Sequence, residues 1–360
     1  MAVAAAAGDV VIVGAGLAGS LLALELRALG RGVTLLHAPQ PGIETATAIS
    51  YGAVPGWPLA STPLARAAAQ AGRHWRRLQR SHGDLGWRRR PLRLQGGGAL
   101  AALAGLWPWA CSQVDTAVLQ ASLPQRLAAA GVQTRIAPLQ SLEQADGHWW
   151  LLLEDGRPER AATVVLAAGG RSRALWPHLP ARLCCSWAAV LELPAFPARL
   201  GRPALWLPQR FSRLALEGRA AGLVEPAWVV DPGLVPHGDG ALLGQLSLVR
   251  PERMAAAALP PPEAEALLRE GLAAHPWGGQ WAEQPGRLRQ APVAFTTAGL
   301  PLVGPVPQTQ GLWVFSGFSA GFSQVPVLAP LLAAGLAAAP GPAQRARWRL
   351  QQLGVWPAGG

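Results

Sequence analysis

The sequence predicts an α/β protein: a domain built on a parallel sheet, joined to a second, mostly antiparallel α+β domain. Three observations predict it. Short apolar runs alternate with segments of helical period at both ends of the chain. A glycine-rich turn links the first run to the first helix. The middle consists of short alternating segments cut by Pro and Gly, the pattern of antiparallel strands. With 360 residues, the chain also exceeds what one hydrophobic core of ~250–300 residues holds.

Asp9–Val13 is a continuous apolar run suited to a strand buried on both faces. Gly-Ala-Gly-Leu-Ala-Gly follows it, then a helix that Gly30 stops, then a second strand over Val33–Leu36. Together these make a βαβ unit. Residues 42–57 are rich in turns. Ser61–Gln79 reads as one helix capped by Ser61 or Thr62, and Gly96, Gly97 and Gly98 break the chain beyond it. A helix over Asp115–Ala130 is stopped by Gly131. Strands follow at Val132–Ile136 and Trp149–Glu154, with Asp155-Gly156 as a hairpin turn. Ala161–Ala168 is a third buried run ending in Gly169-Gly170, and residues 183–290 form the antiparallel part. The tail returns to the first pattern: strand Leu312–Phe315, a Gly/Ser turn and an Ala/Leu-rich helix. Residues past Pro340 read as peripheral.

Composition narrows the classes. Half of the residues are hydrophobic and 14% are charged, which fits a core-forming protein and not a disordered one. The 42 Gly and 34 Pro are dispersed without a Gly-X-Y period, so collagen is excluded. Cys111, Cys184 and Cys185 make neither a disulfide framework nor a metal spacing, which fits a reducing compartment and a cytoplasmic location, with zinc not expected. The N-terminal apolar stretch lacks the basic start of a signal peptide. Val325–Ala339 falls short of the ~20 residues of a membrane span and reads as a buried helix, so no transmembrane segment is expected. The net charge is +11, carried entirely by Arg. Nucleic acid or an anionic surface would suit it, and so would codon bias in a GC-rich genome. The second reading is preferred, since net charge speaks first to solubility and loose association.

Gly14, Gly16 and Gly19 form GxGxxG at a strand-to-helix junction. The first glycine permits the tight turn, the second lets a pyrophosphate approach the backbone, and the third allows close helix–strand packing. The helix start, with Leu17 and Ala18, offers N–H donors and a partial positive charge to phosphates, so a bound dinucleotide is expected. His37 stands where an acidic residue commonly ends the second strand. Its imidazole can accept one hydrogen bond from a ribose and donate one, or it can end the strand in solvent.

Four stretches carry a family resemblance. They are the N-terminal fingerprint, VDTAVLQASLPQRLAAAGVQTR (114–135), VVLAAGGRSRALWP (164–177) and PLVGPVPQTQGLWVFSGFSAGFSQVPVLAPLLA (301–333). Together they resemble the D-amino-acid oxidase-like flavoproteins, in particular the glycine oxidase and sarcosine oxidase group. The resemblance implies a Rossmann-like FAD-binding domain over 1–60, 112–182 and 291–360, with a substrate domain over 61–111 and 183–290. It implies non-covalent FAD, there being no cysteine where a flavin tether would sit. Ala168 and Gly169 return the chain to the cofactor. Thr45, Thr47, Ser50 and Gly52 belong to a loop along the pyrophosphate and flavin, and Tyr51 is the only tyrosine in the chain. Gly317, Phe318, Ser319, Ala320, Gly321 and Phe322 form a second turn and helix start, whose donors could stabilise negative charge on a reduced flavin.

The resemblance also implies oxidation of a small amine or amino acid by hydride transfer to flavin, with hydrolysis of the resulting imine. Oxygen or a quinone would accept the electrons. Little acid–base machinery is required if the amine binds neutral. An amino-acid substrate needs a cation for its carboxylate, usually a bidentate Arg. The family position for it falls on Val293, and a frequent acidic position falls on Ala298. Arg289, Arg250 and Arg93 are then candidates to orient substrate, with Tyr51 beside them. Two alternatives stand beside this reading. Arg73, Arg76, Arg77, Arg80, Arg88, Arg89, Arg90 and Arg93, interleaved with Trp75 and Trp87, could grip RNA, because a relative in this family acts on a modified tRNA base. A solvated helix face explains the run equally and is preferred. The other alternative is a flavin-holding protein whose substrate site has decayed, suggested by His37, Val293 and Ala298.

Overall fold

The computed structural model describes residues 9–95, 111–254 and 257–356. The apolar residues 1–8 and the break at Gly96, Gly97 and Gly98 lie outside the described residues. Two six-stranded sheets organise the chain. In the first, Val10–Val13 sits centrally, parallel to Thr163–Leu166 on one side and Val33–His37 on the other. Gln133–Ile136 extends it in parallel beyond Val33–His37, and Leu312–Ser316 extends it beyond Thr163–Leu166. Leu302–Pro305 closes that edge antiparallel. All four residues of Val10–Val13 are buried, as a central parallel strand requires.

Helix Leu17–Ala28 returns between the first two strands and buries most of its length. It packs with helix Gly321–Ala337 on one face of the parallel sheet. Gly321–Ala337 is the buried helix expected near the C-terminus, and it contains Pro326 and Pro330. Proline at 326 cannot donate to the Phe322 carbonyl. The Trp75 indole N–H takes that acceptor instead, at 2.8 Å in a fully buried site. The residues past Pro340 are not peripheral: Pro340–Gln352 is a helix whose Ala343, Ala346 and Leu350 are buried, with Leu350 in the same core. The expected helix over 61–79 is two helices, Pro63–Ala68, capped by Thr62, and Ala71–His82. No Gly or Pro marks the break between them. Their Leu64, Ala71, Trp75 and Leu78 join the core of the first sheet, although they were expected with the second domain.

The other face of the parallel sheet is covered by a three-stranded sheet, Leu139–Ala145, His148–Leu153 and Pro158–Ala161. Its central strand His148–Leu153 and edge strand Pro158–Ala161 are the hairpin read around Asp155-Gly156; the other edge, Leu139–Ala145, was not expected. The second large sheet runs in the order Arg287–Thr296, Leu183–Leu193, Gly240–Val249, Ala227–His237, Leu205–Pro208 and Leu92–Gln95. Its pairings are antiparallel except the last. Helix Pro261–Ala273 packs on its outer face through Ala264, Leu268 and Leu272. Strand Arg287–Thr296 carries this sheet past residue 290, the boundary read from sequence. The mixed α/β architecture is the one expected.

Candidate functional site

A cavity of about 460 Å³ opens at the carboxyl ends of the parallel strands, where Val13, Leu36, His37, Ala167 and Phe315 line it. Open α/β sheets bind ligands there. Gly14 leaves the first strand at φ +113°, and a Cβ on it would overlap the Ala167 carbonyl and lie 2.8 Å from Ala168 Cα. Gly16 faces open space apart from Thr47 Oγ1 at 3.8 Å from its ideal Cβ. A Cβ on Gly19 would overlap the Gly14 carbonyl, so this glycine serves close packing and lies outside the cavity lining. Leu17 N–H donates to Thr47 Oγ1 at 3.0 Å. Ala18 follows in the helix's first turn, where no intrahelical acceptor exists.

The second turn faces the same space. Gly317 takes φ +85° directly after strand Leu312–Ser316, with Phe318 edge-on to Phe315 at 4.8 Å. Ser319 Oγ is buried and has no partner among the described residues. Gly321 and Phe322 begin the long helix and line the cavity; Ala320 does not, and its carbonyl accepts from Ser323 and Gln324 N–H. Two helix N-termini from opposite ends of the chain thus converge on one cavity.

Between them runs the segment from Glu44 to Ser50. Thr45, Thr47 and Ser50 line the cavity, as do Ala168 and Gly169. Thr45 Oγ1 accepts from Ala48 N–H at 3.2 Å. Gly52 sits at φ +63°, packed on the Val114 carbonyl and outside the lining. His37 lines the cavity half-buried, and burial lowers its pKa, so it is neutral at pH 7. Glu44 is the one acidic side chain among the described lining residues, and Arg289 pairs with it at 3.0 Å. An anionic pyrophosphate therefore meets N–H donors and a compensated carboxylate. The residues present fit a dinucleotide.

The substrate-orienting candidates do not gather there. Tyr51 is buried with its hydroxyl spent: it donates to the Asp231 carbonyl at 3.0 Å and accepts from Gly233 N–H at 3.1 Å. Arg250 turns to the Ala257 carbonyl at 2.9 Å. Arg289 contacts Glu44, Glu192 and His237 and lies behind the cavity wall. Arg93 also lies outside the lining, and Ala298 is exposed in the turn after strand Arg287–Thr296. Sequence reasoning missed Arg213 and Gln245, which line the cavity together with Val293 of the second sheet. Arg213 Nη2 donates to the Ser319 carbonyl at 2.7 Å and Nη1 to Glu217 at 3.0 Å, while its buried Nε has no partner among the described residues. No local signal marks Arg213; it reaches the site through helix Ser212–Arg219, whose first N–H groups the buried Asp231 carboxylate accepts.

In the arginine run one of the two tryptophans is withdrawn from the surface and the other is half-buried. Trp75 is fully buried, and Arg76 lies over the Trp87 ring at 5.3 Å. Arg77 pairs with Glu25 and Arg88 with Asp84.

His237, at the end of strand Ala227–His237, contacts Thr116 at the start of helix Thr116–Ala129. Thr116 Oγ1 faces the Ala48 and Ser50 carbonyls at 3.2 and 3.4 Å, so its hydroxyl donates to them and accepts from His237 Nδ1 at 3.0 Å. That leaves Nε2 to accept from Arg289 Nη1 at 3.3 Å. Burial first, then the neighbouring Arg289 charge, push the His237 pKa down, outweighing Asp115, Glu192 and Glu44. His37, His74 and His82 are also lowered, chiefly by burial. Histidines shifted this way contribute stability that is fully present above ~6.5, the unfolded value, and lost as pH falls through the folded value. The guanidinium denaturation midpoint is expected to fall from pH 7 to pH 5, and His237→Asn to make that fall shallower. A midpoint that rises on acidification contradicts the assignment.

Fold and cavity define a two-sheet α/β protein with a site that fits a dinucleotide. The chain belongs to the FAD dependent oxidoreductase family (DAO), which matches residues 9–103 and 92–334, and FAD is its cofactor. No curated protein matches it. Among solved structures it is similar to iminodiacetate oxidase from Chelativorans sp. BNC1, with 19% identity, TM-score 0.65 and coverage of 91% of this chain and 94% of that one. Glycine oxidase from Geobacillus kaustophilus gives 18%, 0.64, 91% and 94%. L-proline dehydrogenase from P. horikoshii gives 11%, 0.65, 97% and 99%. Among the described residues no helix is long and apolar enough to cross a membrane.

Proposed function

We propose that the protein oxidises a C–N bond of a small amine or amino acid, yielding an imine that water hydrolyses. The reading rests on one observation: the cavity runs from the glycine turn at Gly14 to the second sheet, where Val293, Gln245 and Arg213 face it. The chain divides accordingly into a cofactor unit around the parallel sheet and a substrate unit around the antiparallel sheet.

Bound non-covalently, FAD supplies the two-electron acceptor, and oxygen or a quinone receives the electrons afterwards. Gly14, Gly16 and Ala18 would hold the pyrophosphate, with Thr47 occupying the Leu17 N–H beside it and His37 toward the ribose. The turn from Gly317 to Phe322 presents N–H donors to the ring. Val293 and Pro292 keep water from the substrate end. Among the described lining residues the one carboxylate, Glu44, is engaged by Arg289, so the amine binds neutral. Arg171 and Arg213 are the guanidinium groups among the described lining residues. Arg171 faces Glu154 at 3.6 Å. Arg213, held at the Ser319 carbonyl of the second turn, is the one we assign to a substrate carboxylate, taking the part for which Val293 is unfit. Its pairing with Glu217 weakens that attraction. Burial pushes the Cys111 and Cys185 thiols up to about 12, which makes them unreactive; the three unpaired cysteines are in keeping with the cytoplasmic setting we propose.

Anaerobic mixing of the yellow protein with a panel of amines and amino acids is expected to bleach the flavin with at least one of them. A flavin that no member bleaches contradicts the reading and favours a decayed site. Arg213→Met is expected to raise KM for a responding amino acid at least about tenfold, the lower end of what loss of a charge-assisted hydrogen bond of ~1.5–3 kcal/mol implies. KM for the matching carboxylate-free amine should stay unchanged. Equal changes in both would remove Arg213 from the substrate's carboxylate.

A further inference from the structure

We propose that Arg289 is a positioning residue: from behind the cavity wall it fixes the segment Glu44–Ser50 and so sets how tightly FAD is held. The proposal rests on the reading of that segment as part of the cofactor's cradle. Arg289 sits on strand Arg287–Thr296 of the second sheet, with its side chain 13% exposed. Its Nε and Nη2 lie 3.1 and 3.0 Å from Glu44 Oε1. Its Nη1 lies 3.3 Å from both Glu192 Oε1 and His237 Nε2. The first contact pulls directly on the start of the segment, where Glu44 N–H also donates to the Gln290 carbonyl at 2.8 Å. The second reaches its far end by way of His237 and Thr116, whose hydroxyl meets the Ala48 and Ser50 carbonyls.

The middle of the segment is tied the other way, since Thr47 Oγ1 accepts the Leu17 N–H at the start of helix Leu17–Ala28. The segment is thus strung between the pyrophosphate turn and one guanidinium. Only a planar fork reaches a carboxylate on one edge and an imidazole plus a second carboxylate on the other; an ammonium cannot span them. Without it, Glu44 and Glu192, each within 3.3 Å of this guanidinium, would lose the cation that both contact, and the start of the segment would lose its side-chain tie to the strand.

The test is FAD release from the holoprotein, followed by flavin fluorescence on dilution. Arg289→Met and Glu44→Gln are each expected to weaken FAD binding, about tenfold for the first, and the double variant to be no weaker than Arg289→Met alone, as coupled partners are. Arg289→Lys should restore only part of the loss. A residue with a merely structural role would shift the melting of the apoprotein without this non-additivity in FAD affinity. Dissociation constants within twofold of the parent for Arg289→Met and Glu44→Gln, or effects that simply add, would overturn the proposal. Should Arg289→Met not fold, Glu44→Gln decides alone, since Glu44 lies in a partly exposed loop. Thr47→Val separates the two readings. If it weakens FAD while Glu44→Gln does not, the positioning proposal fails and the cradle stands. If Thr47→Val changes nothing, the cradle itself is wrong.

Discussion

Gly14→Val is expected to give a folded but colourless protein whose affinity for FAD is reduced at least about a hundredfold, or ~2.8 kcal/mol. Two effects add. The residue holds φ +113°, which L side chains rarely adopt, and its first side-chain carbon would overlap the Ala167 carbonyl. The turn must then move, and it is the turn that brings N–H groups to the phosphates. Gly16→Ala is the informative contrast. Its ideal Cβ meets nothing nearer than Thr47 Oγ1 at 3.8 Å, so the apoprotein tolerates it and any loss reports the cofactor's own approach. Retained yellow colour and near-parental affinity in Gly14→Val would contradict the placement of the pyrophosphate.

Trp75→Ala is expected to cost ~3–5 kcal/mol of stability, read from guanidinium denaturation, because it empties a fully buried indole site. The loss has a polar part as well. Pro326 removes the N–H that would normally bond the Phe322 carbonyl, and the indole satisfies that carbonyl in its place. Trp75→Phe keeps most of the packing and orphans the acceptor, so ~1–3 kcal/mol is expected from it alone. Since Phe322 lies in the first turn of the helix at the cavity, FAD affinity should fall along with stability. A Trp75→Phe variant as stable as the parent would show that the carbonyl finds water or another donor.

The βαβ unit was legible because every level agrees there. A four-residue apolar strand, a glycine turn and a helix stopped by Gly30 are local signals that tertiary packing has no reason to override. The second turn and Thr47 were named through the family resemblance, the threonine as a donor toward the cofactor; that it instead accepts the Leu17 N–H was not read from the sequence. Tyr51 stood out as the only tyrosine, yet its hydroxyl is spent on Asp231 and Gly233, which approach from far along the chain. No spacing rule announces such a contact. Arg289 was singled out as a candidate to orient substrate; the carboxylates that engage it come from the segment Glu44–Ser50 and from the neighbouring strand Leu183–Leu193. Arg213 was invisible for the converse reason, being one arginine among many until helix Ser212–Arg219 carries it to Ser319. The C-terminal helix Pro340–Gln352 was read as peripheral because its Arg and Gln outnumber its apolar residues, but a narrow stripe of Ala343, Ala346 and Leu350 is enough to seat it.

A crystal structure of the yellow protein tests the central claim most directly. The account predicts one FAD per chain, with its pyrophosphate at the N–H groups after Gly14 and its ring against Gly317–Phe322. Flavin density seated anywhere else, or phosphates turned toward the second sheet, would contradict it.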